Sequence, residues 1–105
     1  MNKKGILMIS STSLKGGGPE HMFLLGNHLI NDFRVYFAMP FSNKYRKFLN
    51  KNNFIKIAER KLSFLDLIRL IKFIKSNSIT IIHAHGKGAG LIGRILSIFV
   101  NIPII

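Results

Sequence analysis

The sequence lacks cysteine altogether. This absence excludes a disulfide framework, a cysteine-ligated zinc site and thiol chemistry. Small secreted proteins usually depend on disulfides, so the composition gives no indication of that class. With 105 residues, of which 48% are hydrophobic, the chain can form one domain with a modest core and is too apolar to be intrinsically disordered.

Long apolar runs are absent as well. The run at residues 5–9 follows two lysines but is too short for the apolar region of a secretory signal. The most apolar C-terminal stretch, residues 91–100, contains Arg94 and falls short of the roughly 18 apolar residues of a transmembrane helix. We therefore expect a cytoplasmic protein, and peripheral contact with the inner face of the plasma membrane stays open.

Acidic residues are scarce, since 4 Asp and Glu stand against 16 Lys and Arg, which gives a formal net charge of +12. The densest basic clusters lie at residues 44–51 and 56–61. They are explained either as solvated faces of a lysine-rich chain or as a patch for an anionic lipid or an anionic substrate. Nucleic acid is not an expected partner, because the sequence contains no RNP motif, GXXG loop or arginine-rich segment.

Apolar runs of strand length alternate along the chain with amphipathic segments of helical length. Strands are predicted at residues 5–10, 34–39, 54–58 (near the sheet edge, because Lys56 interrupts it) and 79–84, with a fifth beginning within 101–105. Helices are predicted at residues 19–31, 42–52, 64–75 and, after a glycine-rich turn at 86–90, up to about residue 100. Ser63 is predicted to cap the third helix, and Asn77 to end it in a left-handed conformation.

This alternation predicts an α/β fold with a doubly wound parallel sheet, Rossmann-like and incomplete at the C-terminus. Because the pattern calls for further strands after residue 105, we expect residues 1–105 to be a truncated N-terminal domain of a longer protein.

A first candidate site is the glycine-rich loop between the first strand and the first helix. Gly16, Gly17 and Gly18 precede Pro19, which is typical of the start of a helix. Glycines let backbone N–H groups approach an anion closely, and the helix N-terminus adds a partial positive charge. The loop is not a Walker A motif, because no Gly-Lys-Ser/Thr follows at the required spacing.

A second candidate site is the end of the fourth strand. His83 and His85 are two residues apart, so their side chains are expected on the same face of the sheet. Two histidines at the end of a parallel strand, with glycine next, favour a functional role over a structural one. A metal site is not expected, because only His21 and His28 are left as further histidine ligands and no carboxylate lies near His83 and His85 in the sequence.

The segment from Gly88 to Gly93 matches the dinucleotide-binding pattern G-x-G-x-x-G. The acidic residue that should follow about 20 positions later would fall beyond the chain. Close packing of a helix on the sheet is the preferred explanation of these glycines. A nucleotide- or dinucleotide-binding Rossmann module without transferase activity is the alternative function.

Taken together, these motifs resemble the N-terminal half-domain of a family 4, GT-B type retaining glycosyltransferase, over essentially the whole chain. The resemblance rests on the first strand followed by a GGxxxH pattern (Gly16, Gly17 and His21), on IIHAHGKGAGLIGR at residues 81–94, and on the closing NIPII.

The resemblance implies transfer of a sugar from a nucleotide-sugar donor to a polysaccharide or glycolipid acceptor, as in cell-surface polysaccharide biosynthesis, with no cofactor and no essential metal. It implies that His85 is the catalytic residue that hydrogen-bonds the donor sugar, and that Gly16 and Gly17 approach the donor diphosphate. His21 and His83 would position acceptor or substrate. Since the donor-binding C-terminal domain is absent from these 105 residues, no activity is expected from them alone.

Overall fold

The structure is a computed structural model that describes residues 3–11, 17–41, 52–58 and 63–105. Within these residues the elements follow in the order β1 (Lys4–Ser10), α1 (Gly17–Leu29), β2 (Phe33–Met39), β3 (Phe54–Lys56), α2 (Phe64–Ser76), β4 (Ile79–His85) and α3 (Lys87–Phe99). The four strands form one parallel sheet in the order β3-β2-β1-β4. The predicted α/β, Rossmann-like parallel sheet is confirmed. Of the helix predicted at residues 42–52, residues 42–51 lie outside the described residues.

The strand β1 lies inside the sheet, between β2 and β4, and is buried from Gly5 to Ser10. A continuous apolar run is what a parallel strand covered on both faces requires. β3 lies at the edge beyond β2, as predicted, and Lys56 is exposed there.

The helices cover both faces of the sheet, each over its own core cluster. α1 packs over a cluster of seven buried residues: Ile6, Met8, Met22, Phe23, Val35, Phe37 and Met39. α2 and α3 pack over the opposite face, where fourteen buried residues form the larger cluster: Leu7, Ile9, Ala38, Ile55, Ile57, Leu67, Leu70, Ile74, Ile79, Ile82, Ala89, Ile92, Leu96 and Val100. Burial of these side chains is the main source of stability.

The strand order reverses between β3 and β4. The chain places β1, β2 and β3 in succession and then returns to lay β4 on the other side of β1. Such a reversal opens a crevice beyond the carboxyl ends of the two strands at which it occurs, here β1 and β4.

The residues after α3 begin a fifth strand beside β4, as predicted. Ile104 forms a parallel bridge with Ile82. Backbone hydrogen bonds run from Ile82 N to Pro103 O and from Ile105 N to Ile82 O, at 3.0 and 2.9 Å.

The N-terminus of α2 agrees with the prediction from the sequence, and its C-terminus differs from it. The Ser63 hydroxyl accepts a hydrogen bond from the backbone N of Asp66, which is the predicted N-cap. Asn77 was expected to be left-handed, but its φ is −107°, and the residue with positive φ is Ser78, at 52°. Asn77 instead donates its backbone N–H and its side-chain amide to the carbonyl of Phe73, so the left-handed step moves one residue on.

Two helix starts also differ from the predictions. α1 begins at Gly17 rather than at Pro19, and it ends at Leu29 rather than at residue 31. The glycine-rich turn predicted at residues 86–90 is confined to Gly86, because α3 already begins at Lys87. Among the described residues, no helix is long and apolar enough to cross a bilayer.

Candidate functional site

The carboxyl ends of β1 and β4 lie side by side, and both are followed by helices. Ser10 of β1 is the register partner of His85 of β4, and Met8 is the partner of His83. α1 follows β1, and α3 follows β4 after Gly86. The N-terminal turns of two helices, with their unpaired N–H groups and partial positive charge, therefore flank the crevice at the strand-order reversal.

Three imidazole rings gather at this edge. The ring centroids of His83 and His85 are 4.2 Å apart, and those of His21 and His85 are 5.8 Å apart. His83 and His85 share a face because they are two residues apart in a strand. His21 reaches them from the first turns of α1, which packs on that same face.

The environment of His85 is the most unusual in the cluster. The residue is buried, at 7% exposure, and its Nε2 atom is buried without a hydrogen-bond partner. Burial, together with the neighbouring His83 and His21 rings, lowers the pKa of His85 from 6.5 to about 4. The ring is therefore neutral at pH 7, with one nitrogen that donates and one that accepts. A buried polar atom without a partner is costly, which is why such an atom beside a crevice indicates a ligand contact.

The other two histidines are more accessible. His83 is half-buried, and burial, followed by the effect of His21, lowers its pKa as well. His21 is exposed and lies next to Glu20, which is in the first turn of α1, where a carboxylate stabilises the helix. His85 is buried, His83 half-buried and His21 exposed, so the three rings offer nitrogen atoms to a ligand at different degrees of exposure.

The start of α3 depends on two glycines. Gly86 precedes the helix with φ 92° and ψ 169°, a conformation that is almost restricted to glycine, and provides no side-chain cap. At Gly88, an added Cβ would collide with the Oγ of Ser11 and lie 2.8 Å from its Cβ. Gly88 thereby allows α3 to begin directly against the residue that follows β1. The sequence predicted the glycine-rich segment here but not the contact with Ser11.

The pattern G-x-G-x-x-G lies inside a helix. Gly88, Gly90 and Gly93 all belong to α3. A Cβ on Gly93 would come within 2.9 Å of Ile104 Cγ2 and 3.8 Å of the Ala84 Cβ, whereas one on Gly90 would meet nothing within 4 Å. Close packing of the helix against the sheet, which was the preferred explanation of these glycines from the sequence, accounts for Gly93.

The structure brings together most of the site residues that the sequence singled out. His21, His83 and His85 form one cluster, and Gly17 is the first residue of α1, one turn before His21. Gly16 lies outside the described residues, and the roles assigned to all five stay predictions. In the part of the chain that the structure describes, no group of three or more His, Cys, Asp or Glu side chains is placed to hold a metal ion.

Comparison with known proteins adds one result on the fold. No family model matches the chain, and no curated protein matches it in sequence. Over 99% of its length the chain is similar in structure to a glycosyltransferase from Rickettsia africae ESF-5, with a TM-score of 0.66 and 16% sequence identity. The chain spans 29% of the length of that glycosyltransferase. The fold of this protein is therefore a glycosyltransferase-like, Rossmann-type α/β fold.

Proposed function

We propose that residues 1–105 form the N-terminal, acceptor-side half-domain of a retaining glycosyltransferase of the family 4, GT-B type. The donor is a nucleotide sugar, and the acceptor is a polysaccharide or glycolipid. The structural likeness to a glycosyltransferase supports the class of fold. The motifs GGxxxH and HAHG, which the resemblance rests on, support the finer assignment.

The observation that carries the proposal is the unpartnered Nε2 of His85. It lies at the end of β4, in contact with two further imidazole rings and beside the crevice of the strand-order reversal. A sugar hydroxyl both donates and accepts hydrogen bonds, so it satisfies either nitrogen of a neutral imidazole. Because its pKa is lowered to about 4, His85 acts by holding the sugar in place, not by taking a proton.

The N-terminus of α1 supplies the second part of the chemistry. When the bond between the sugar and the diphosphate breaks, negative charge accumulates on the diphosphate. N–H groups at the start of α1, including the Gly17 turn, lie at the same edge as His85 and stabilise this charge. Gly16 and Gly17 allow the backbone to approach the anion, and His21 and His83 position the substrate.

The chain spans 29% of the length of its structural neighbour, so the test measures ligand binding instead of sugar transfer. We would titrate the protein with UDP-glucose, UDP-N-acetylglucosamine, GDP-mannose and NAD, and follow the side-chain NMR signals of the histidines. One of the nucleotide sugars should shift the signals of His85, His83 and His21. Removing the hydrogen bond in His85→Ala should weaken its binding by about tenfold.

The matched control is His28→Ala, which removes an exposed histidine near the end of α1. This variant should bind the nucleotide sugar as the wild type does. If NAD binds while the nucleotide sugars do not, and His85→Ala leaves binding unchanged, the proposal is wrong and the dinucleotide-binding alternative takes its place.

A further inference from the structure

The two edges of the sheet differ in how their outward backbone groups are satisfied. At the edge formed by β3, side chains of α2 bond to these groups. The Arg69 guanidinium donates to the carbonyl of Lys56 at 2.9 Å. The Asp66 carboxylate accepts from the backbone N–H of Ala58 at 2.7 Å. Backbone groups that are bonded in this way are not free to pair with another chain, so this edge is partly closed.

The opposite edge is formed by the residues that follow α3 and lie beside β4. Pro103 and Ile105 form the backbone hydrogen bonds to β4. Backbone groups of successive residues in an extended strand alternate in direction, so the N–H and C=O of Ile104 point away from β4. Among the described residues, neither group of Ile104 has a hydrogen-bond partner. Such groups can pair with a strand that is added to the sheet.

A cavity of about 510 Å³ adjoins this edge and is lined by α3, by Ala84 and by isoleucines of residues 102–105. Gly90 leaves space in its wall, since an added Cβ would meet nothing within 4 Å. Arg94 also lines the cavity, and its guanidinium forms no ion pair or hydrogen bond within the part of the chain that the structure describes. Isoleucines beside an unpaired guanidinium fit an apolar side chain next to a carboxylate. We refer to residues 102–105 and this cavity as the docking edge.

We propose that the docking edge binds an extended acidic segment of another polypeptide, which adds a strand to the sheet. The backbone of the segment pairs with Ile104, an apolar side chain enters the cavity, and a carboxylate pairs with Arg94. The charge of the whole chain favours an acidic partner over a second copy. With 16 Lys and Arg against 4 Asp and Glu, two copies repel each other. The proposal is independent of the transferase assignment, because the docking edge contains none of the three imidazoles.

The test uses three short fluorescent peptides and measures their binding by fluorescence anisotropy. The first alternates valine with glutamate, and the wild type should bind it. The second has lysine in place of glutamate and should bind at least about tenfold more weakly, because it repels Arg94. The third keeps valine and glutamate but carries N-methyl groups on its backbone amides. It cannot donate the hydrogen bonds of an added strand, so its affinity should also be at least about tenfold lower.

Hydrogen exchange locates the added strand. The outward N–H of Ile104 should exchange at least about tenfold more slowly when the glutamate peptide is bound. The N–H groups of Ile82 and Ala84 are already bonded within the sheet, so their exchange should change little.

Two matched pairs of variants test the side-chain contacts. Arg94→Glu reverses a charge in the cavity, and Lys72→Glu makes a similar change at an exposed position of α2. The first should weaken binding of the glutamate peptide by about tenfold or more and strengthen binding of the lysine peptide, whereas the second should have a severalfold smaller effect. Gly90→Leu fills the cavity and should weaken binding, while Gly90→Ala should bind as the wild type does. Both replacements favour a helix, and circular dichroism verifies that all variants fold.

The proposal is overturned by a wild type that does not bind the glutamate peptide, or by unchanged exchange of the Ile104 N–H when that peptide is bound. Equal affinity for the methylated and unmodified peptides would exclude strand addition. Equal loss in Arg94→Glu and Lys72→Glu would mean that net charge alone drives binding. A dimer in analytical ultracentrifugation that Gly90→Leu dissociates and the peptide does not would make a second copy the occupant.

Discussion

The two faces of the sheet are covered by cores of different composition. On the α1 side, three of the seven buried residues are methionine and two are phenylalanine. On the α2–α3 side, all fourteen buried residues are aliphatic, without methionine or phenylalanine. Methionine adapts to irregular spaces, whereas branched aliphatic side chains pack in few conformations. One sheet thus separates an adaptable core from a more rigid one.

The surfaces above these cores differ in the same way. The three imidazoles that contact one another gather on the α1 side. Most of the strongly exposed apolar side chains lie on the α2–α3 side, together with the exposed Arg69, Lys72, Lys75 and Arg94. The imidazole cluster and most of the strongly exposed apolar side chains are therefore on opposite faces of the sheet.

The largest expected effect tests the difference between the cores. Leu96→Ala, at a fully buried aliphatic position, should lower the free energy of unfolding by about 3–5 kcal/mol, because the cavity is surrounded by stiff neighbours. Met22→Ala, fully buried on the α1 side, should cost about 2–3 kcal/mol, because neighbouring methionine side chains can partly fill the space. Denaturation by urea measures both.

The exposed Leu91→Ala on the same helix as Leu96 is the control, and should change the free energy of unfolding by less than about 0.5 kcal/mol. A larger loss at Met22 than at Leu96 would contradict the distinction between the two cores.

The next effect concerns the histidines of the α1 side. The pKa of His85 is lowered in the folded state from 6.5 to about 4, so above pH 6.5 the group contributes no pH dependence. As the pH falls from 6.5 towards 4, the unfolded chain takes up a proton that the folded protein does not, and stability is lost. Between pH 7 and pH 4 the wild type should lose on the order of 2–3 kcal/mol more than His85→Gln.

Urea denaturation at a series of pH values measures this difference, with His28→Gln as the control that keeps the cluster intact. Since burial also lowers the pKa of His83, His83→Gln should reduce the loss in the same direction. If the free energy of unfolding fell by the same amount with pH in the wild type and in His85→Gln, His85 would take up a proton in the folded protein as it does in the unfolded chain. That result would contradict the lowered pKa of His85.

The smallest effects test the junction between the two sides, where the chain passes from β4 into α3. Gly86→Ala should cost about 1–3 kcal/mol, because φ 92° with ψ 169° strains any residue with a Cβ. Gly90→Ala, four residues on, should instead stabilise the protein by up to about 1 kcal/mol, because its Cβ meets nothing within 4 Å and alanine favours the helix. Thermal unfolding measures both, and a shift of the same sign in the two variants would contradict the assigned role of Gly86.

Local pattern was sufficient for much of the fold. The continuous apolar run of β1 is typical of a strand covered on both faces, and β1 is buried from Gly5 to Ser10. Lys56 predicted the edge position of β3. The predictions were weakest where glycine is frequent. Glycine is compatible with both turn and helix, so the sequence could not show that α3 already begins at Lys87. Asn77 and Ser78 illustrate a similar limit, since either can end a helix and only the bond to Phe73 decides between them.

The sequence by itself determined the alternation of strands and helices, and with it a parallel sheet. It also determined that His83 and His85 share a face, because side chains in a strand alternate. Only the tertiary structure decided that His21 joins them and that the Nε2 atom of His85 is buried without a partner. These features depend on the reversal of strand order and on the packing of α1 over β4, which bring together residues that are far apart in the chain and that no local pattern relates.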